Sequence, residues 1–166
     1  MIFVTVGTHE QQFNRLVEYM DMWAENHDEK VIIQSGYSTY EPKNCEWKKL
    51  LPYDEMNNLI EKARIVITHG GPSSFVAPLM IGKTPIVVPR KKEFGEHVND
   101  HQVRFCRQVE DRIGSIIVIE DINELGELID TYEESIIKMS RNMKSNNNAF
   151  CDELSSIVDR IIRREN

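Results

Sequence analysis

Ile65-Val66-Ile67-Thr68-His69-Gly70-Gly71-Pro72-Ser73-Ser74 is the stretch on which the fold of this chain turns. The β-branched run reads as a buried strand, and the glycine pair ends it. Pro72 then opens a segment of helical character that closes at Gly82. Proline suits the first helical position, where an N–H would have had no partner. A strand feeding a helix through two glycines leaves the first helical N–H groups unpaired and pointing outward, and the helix dipole favours negative charge there. Glycines also let a ligand approach the backbone closely. These residues suit a phosphate; they equally suit a plain strand-to-helix turn, and the neighbouring motifs decide between the two.

On both sides of this stretch, apolar runs alternate with segments of helical period, the pattern of a parallel sheet covered by helices. This predicts an α/β fold, a single Rossmann-like domain over residues 1–166 with helices on both faces of the sheet. Strands are expected at 2–6, 31–34, weakly at 45–50, and at 65–68, 85–88 and 115–119. Helices are expected up to about residue 26, with Phe13, Leu16, Val17 and Met20 inward, then at 54–63, 72–81 and 99 to about 111. Asp121 caps a short helix, and C-terminal helices follow over about 133–164. There Phe150, Leu154, Ile157, Val158 and Ile161 form an apolar stripe, separated from the earlier part by the polar patch Lys144-Ser145-Asn146-Asn147-Asn148.

A chain of 166 residues buries one sizeable core but has no room for two Rossmann-like halves. The net charge of −7 argues against general binding to nucleic acid, which needs a basic surface. An anionic ligand must be held locally, and Arg90, Lys91 and Lys92, with His97 and His101, supply positive charge in one place. Arg160, Arg163 and Arg164 read instead as a favourable helix C-terminus. No apolar run approaches the ~18 residues of a membrane span. The N-terminus lacks the basic flank of a secretory signal, so a cytoplasmic location is expected. Cys45, Cys106 and Cys151 suggest neither a disulfide framework nor a zinc site, and read as structural thiols.

Ligands of an open parallel sheet bind beyond the carboxyl ends of its strands. Three such exits carry unusual chemistry: Gly7-Thr8-His9, His69 to Ser74, and Pro89-Arg90 through Glu96-His97-Val98-Asn99-Asp100-His101-Gln102. All three should face one edge. The third is rich in side chains that both donate and accept, which suits sugar hydroxyls. Three other readings fit parts of it. Asn99 or Asp100 could cap a helix with Gln102 closing a capping box, the run could be a solvated loop, and His97 and His101 at i, i+4 could bind a metal. No third ligand is evident, and no metal is expected. The chain has no GxSxG elbow, no P-loop lysine and no GxGxxG, which argues against nucleophilic hydrolysis and nicotinamide binding.

Taken in order over residues 2 to 119, Phe3 to Thr8, Thr68 to Ser74, Gly82 to Arg90 and Phe94 to Gln102 resemble the donor-binding, C-terminal half of the family 28 GT-B glycosyltransferases. The resemblance is greatest to the small subunits of bacterial two-component exopolysaccharide and capsule glycosyltransferases. The soluble subunit of the eukaryotic dolichol-linked UDP-GlcNAc transferase is similar. The resemblance implies a UDP-sugar as substrate and no cofactor. It puts Gly7, Thr8, Gly70, Gly71, Ser73 and Ser74 around the diphosphate, with His69 and Arg90 beside them. Asn99, Asp100, His101 and Gln102 join the donor site, the last two matching the pair that reaches the sugar in the related peptidoglycan N-acetylglucosaminyltransferase. Glu96 and His97 are the internal candidates for a catalytic base, which the partner could supply instead. One departure stands out: six positions after Gly71, where that relative holds the ribose with a glutamate, this chain has Ala77.

The implied activity is inverting, metal-independent transfer of a hexose, galactose favoured, to a lipid-linked saccharide in exopolysaccharide or capsule synthesis. The acceptor half would come from a membrane-anchored partner subunit at the inner face of the plasma membrane. A non-catalytic stabilising or recruiting subunit, and a sugar-nucleotide isomerase, stay open at this point.

Overall fold

The computed structural model describes residues 1–142, with side chains to Met139. In chain order its elements are β1 (Ile2–Thr5), α1 (Asn14–Glu25), β2 (Val31–Gln34), β3 (Glu46–Lys48), α2 (Tyr53–Lys62), β4 (Ile65–His69) and α3 (Pro72–Met80). They continue with β5 (Ile86–Val88), α4 (His101–Ile113), β6 (Ile117–Val118), α5 (Leu125–Asp130) and α6 (Tyr132–Asn142). Single 3-10 turns lie at Lys92–Phe94 and Ile122–Glu124. The six strands form one sheet in the order β3-β2-β1-β4-β5-β6, and every pairing is parallel.

Strand side chains alternate between faces, and both faces here are apolar. Ile2, Val4, Ile65, Ile67, Ile86 and Val88 go to one side, where Leu16, Val17 and Met20 of α1 and Leu125 and Ile129 of α5 cover them. Phe3 and Val66 go to the other side against Ile60 of α2, while Val87 meets Phe75 of α3 and Cys106 of α4. The sheet is thus doubly wound, as expected. Both outer strands are short, and β3 is also charged, with Glu46 paired to Lys30 and Lys48 to Glu55, which blunts that exposed edge.

Asp21 is a buried carboxylate on α1 that accepts from the backbone N–H groups of Lys43 and Asn44 and from the Tyr40 hydroxyl. It fixes the loop between β2 and β3. Asp121 caps the turn before α5 by accepting from the Asn123 N–H at 3.0 Å, as its sequence position suggested. Cys45 and Cys106 are free thiols, and burial pushes both up to about 12, so neither is a thiolate nucleophile. Cys151, the polar patch at 144–148, the stripe from Phe150 to Ile161 and the C-terminal arginines lie outside the described residues.

Candidate functional site

The chain leaves β1 for β2 on one side, while β4 flanks β1 on the other, so a crevice opens beyond the carboxyl ends of β1 and β4. Gly7 turns the chain out of β1 at φ +76°, a conformation that favours glycine. Its backbone is gripped by Gln34 at the end of β2. Gln34 Oε1 accepts from the Gly7 N–H at 3.2 Å and from the Thr5 hydroxyl at 2.6 Å, and its amide nitrogen donates to the Gly7 carbonyl at 3.0 Å.

His69 ends β4 with its ring tucked between the first two exits. A Cβ on either Gly7 or Gly71 would collide with that ring. Burial, with Arg90 and His9 nearby, depresses the His69 pKa to about 4, so the imidazole is neutral near pH 7. A Cβ on Gly70 would meet Cys106 Sγ at 2.9 Å and the Gln102 side chain at 3.0 Å. Gly7, Gly70 and Gly71 thus stand where neighbouring exits come closest to their backbone.

A chamber of about 530 Å³ opens at this crevice. Gly7, Thr8, His9, His69, Ser73 and Ser74 line its polar end. Its other end is apolar, with Leu50, Leu51, Met56, Ile60 and Ala77, where Tyr53 and Asn57 add a hydroxyl and an amide. The start of α3 faces it with Pro72 in the first turn and without a side-chain cap.

The third exit joins the site through imidazoles. The His9 and His97 ring centroids are 4.9 Å apart, and those of His97 and His101 are 4.5 Å apart. His101 itself borders a second hollow with Gly70, Pro72 and Arg104. Asn99 Oδ1 accepts from the His101 N–H at 3.0 Å, and Asp100 Oδ1 accepts from the Lys92 N–H at 2.8 Å. The capping box does not form, because Gln102 Oε1 turns instead to the buried Arg90 N–H at 3.1 Å.

Arg90 and Glu96 depart most from the sequence expectation, since both are fully buried. The Arg90 guanidinium donates to the carbonyls of Val6, Gln11, Gln12 and Glu96 at 2.8–3.1 Å. Burial lowers its pKa to about 10, with Glu96 opposing, so it stays charged. The Glu96 carboxylate is held by Arg15 Nε and Nη2, both at 2.9 Å, and by the Lys91 N–H. Arg90 thus ties the first exit to the third through backbone carbonyls, and Glu96 anchors the third to α1. Neither meets solvent.

The structure brings Gly7, Thr8, His69, Gly70, Gly71, Ser73, Ser74, His97 and His101 to one edge, as the three-exit reading expects. Gln34 and Arg15 are the parts that reading passes over, and His9, which it quotes in the first exit, it gives no role. A glutamine ending the otherwise apolar run Val31-Ile32-Ile33 was the available signal for the first. Arg15 gave none, because its partner lies 81 residues away. Among the described residues no group of three or more His, Cys, Asp or Glu is arranged to hold a metal ion.

The fold is that of a Rossmann-like half of a GT-B structure. The glycosyltransferase family 28 C-terminal domain model matches residues 1–161, and the chain belongs to that family. Solved structures of the same fold include MurG of Acinetobacter baumannii, at TM-score 0.53 and 17% identity, covering 91% of this chain and 48% of that one. The glycosyltransferase of kitacinnamycin matches at TM-score 0.55 and 18% identity over 84% of this chain and 38% of its own. The calicheamicin glycosyltransferase CalG4 matches at 0.53 and 16% over 96% and 43%. The chain therefore spans less than half the length of these structures. No curated protein sequence matches it significantly.

Proposed function

We propose that this chain is the donor-binding domain of an inverting glycosyltransferase that takes a hexose, galactose favoured, from a UDP-sugar. The observation that carries this is the single chamber in which Thr8, His9, Ser73 and Ser74 stand at one end and an apolar wall at the other. The polar end suits a diphosphate at the open start of α3. The apolar end suits a nucleobase, with Tyr53 and Asn57 the nearest polar groups to a ribose that finds Ala77 instead of a carboxylate. The sugar then extends toward His101 and Gln102.

Inverting displacement requires a base on the acceptor hydroxyl and stabilisation of the departing diphosphate. This domain supplies the second, through α3 and its two serines. Arg90 and Glu96 act behind the site, holding its loops. His97 Nδ1 already accepts the Asn99 N–H and Glu96 is buried, so the base is assigned to the acceptor half. That half must come from outside these 166 residues. We assign it to a membrane-anchored partner that presents a lipid-linked saccharide of exopolysaccharide or capsule synthesis at the cytoplasmic face. No described helix is long and apolar enough to cross a membrane.

A panel of radiolabelled UDP-sugars, offered to the chain alone and with its candidate membrane subunit, tests the reading. Label should move to a lipid-extractable acceptor only with both subunits and with one preferred donor. Isomerised donor formed without acceptor, or transfer unaffected by Ser73→Ala/Ser74→Ala, would overturn it.

A further inference from the structure

The three clustered imidazoles come from separate segments: His9 follows β1, His97 precedes α4 and His101 begins it. Their hydrogen bonds determine which ring nitrogens carry protons. His9 Nδ1 accepts from the Gln11 N–H at 3.2 Å, and His97 Nδ1 accepts from the Asn99 N–H at 3.4 Å. In the neutral form both rings must therefore carry their proton on Nε2. His101 is the opposite case. Asn99 Oδ1 accepts from the His101 backbone N–H, which identifies that atom as the oxygen, and it lies 2.6 Å from His101 Nδ1. A ring lone pair facing that oxygen would be repelled, so Nδ1 carries the proton, and Nε2 of neutral His101 is a bare acceptor. None of the three Nε2 atoms has a hydrogen-bond partner among the described residues.

The neutral cluster thus presents two donors and one acceptor. Phosphate oxygens accept only, so they satisfy His9 and His97 but oppose the lone pair on His101. We propose that His9, His97 and His101 form one anion subsite, which receives a phosphate of the donor and takes up a proton at His101 Nε2 as it does so. The proposal rests on the donor-domain reading above; it adds a ligand residue, His9, and a proton drawn from solvent.

The groups that face the cluster come from several elements. Arg90 stands behind the rings on the β5 side, and neutral His69 lies on the β4 side. Arg104 of α4 borders the His101 hollow. Of the nearby carboxylates, Glu96 is paired with Arg15 and accepts the Lys91 N–H, while exposed Asp100 accepts the Lys92 N–H through Oδ1. Burial, then His101 and His9, hold the His97 pKa below the usual imidazole value. Without an anion, the three rings repel a second charge; a phosphate removes that penalty.

Histidine Cε1–Hε1 NMR signals, titrated against pH with and without millimolar UDP or inorganic pyrophosphate, test this. The chain has five histidines, and His27, stacked on Trp23, is the internal control. The His101 midpoint should rise by about one pH unit or more with either anion, a tenfold gain in proton affinity, while His27 stays fixed. In His101→Gln no ring should gain that proton, and UDP should bind several-fold more weakly. An unmoved His101 midpoint with UDP bound would overturn the subsite alone. A response to pyrophosphate but none to UDP would retain the subsite and overturn the UDP-donor reading. No response to either anion at saturating concentration would overturn both.

Discussion

Gln102 Oε1 accepts the backbone N–H of Arg90 at 3.1 Å, joining the start of α4 to the end of β5 inside the protein. The side chain expected to reach a sugar is thus half committed. Its amide nitrogen has no hydrogen-bond partner among the described residues, and is the atom left to meet a ligand.

Two substitutions separate these roles. Gln102→Ala removes both and leaves a buried N–H unsatisfied, which should destabilise the fold by about 1–3 kcal/mol. Gln102→Glu keeps an acceptor for Arg90 but loses the NH2 donor. In the reconstituted transferase it should lower kcat/KM about tenfold to a hundredfold, corresponding to about 1.4–2.8 kcal/mol, with little change in the urea midpoint. Full activity of Gln102→Glu would remove the sugar contact.

The sheet was readable from composition because its strands are buried on both faces, and β-branched runs with glycine or proline exits have few other uses. The edge strands were the weakest signals: β6 is two residues long and β3 three, and propensity hardly registers over such lengths. The convergence of the three exits followed from the parallel topology alone. What could not be read was the choice between touching a ligand and touching the protein. Arg90 and Glu96 have the right chemistry for a diphosphate and a base, and only packing reveals that carbonyls and Arg15 claim them. Partners 81 residues apart in sequence leave no local trace.

The Arg15–Glu96 pair should be structural in its energetics. Glu96 is wholly buried and Arg15 nearly so, so Glu96→Ala leaves an uncompensated charge and should cost about 3 kcal/mol or more in urea unfolding. The exposed Lys48–Glu55 pair, broken in the same way, should cost under about 1 kcal/mol and vanish in high salt. Equal costs would show that Arg15 finds another partner.

Contact between Gly71 and His69 makes a sharper test of the crevice. Gly71→Ala pushes a methyl against the ring and should destabilise by about 1–3 kcal/mol. In a His69→Ala background the obstruction is gone, so the double variant should be more stable than the sum of the single losses implies. Strict additivity would mean that the close approach is relieved elsewhere.

The buried His69 also gives the fold a pH dependence of definite sign. Its folded pKa of about 4 lies below the ordinary 6.5, so between these values the unfolded chain binds the extra proton. The stabilisation is complete above pH 6.5 and falls as pH drops through that window, by up to roughly 3 kcal/mol if this residue acted alone. Stability measured by urea at pH 7 and pH 4.5 should therefore differ less in His69→Asn than in the unaltered chain. The carboxylate of Glu29 does not interfere with the comparison. Its hydrogen bond from Arg64, aided by the N-terminal amine, holds its pKa at about 2, so its contribution is lost only as pH falls from 4.5 toward 2. An identical pH slope in the variant would show that the acid sensitivity does not come from His69.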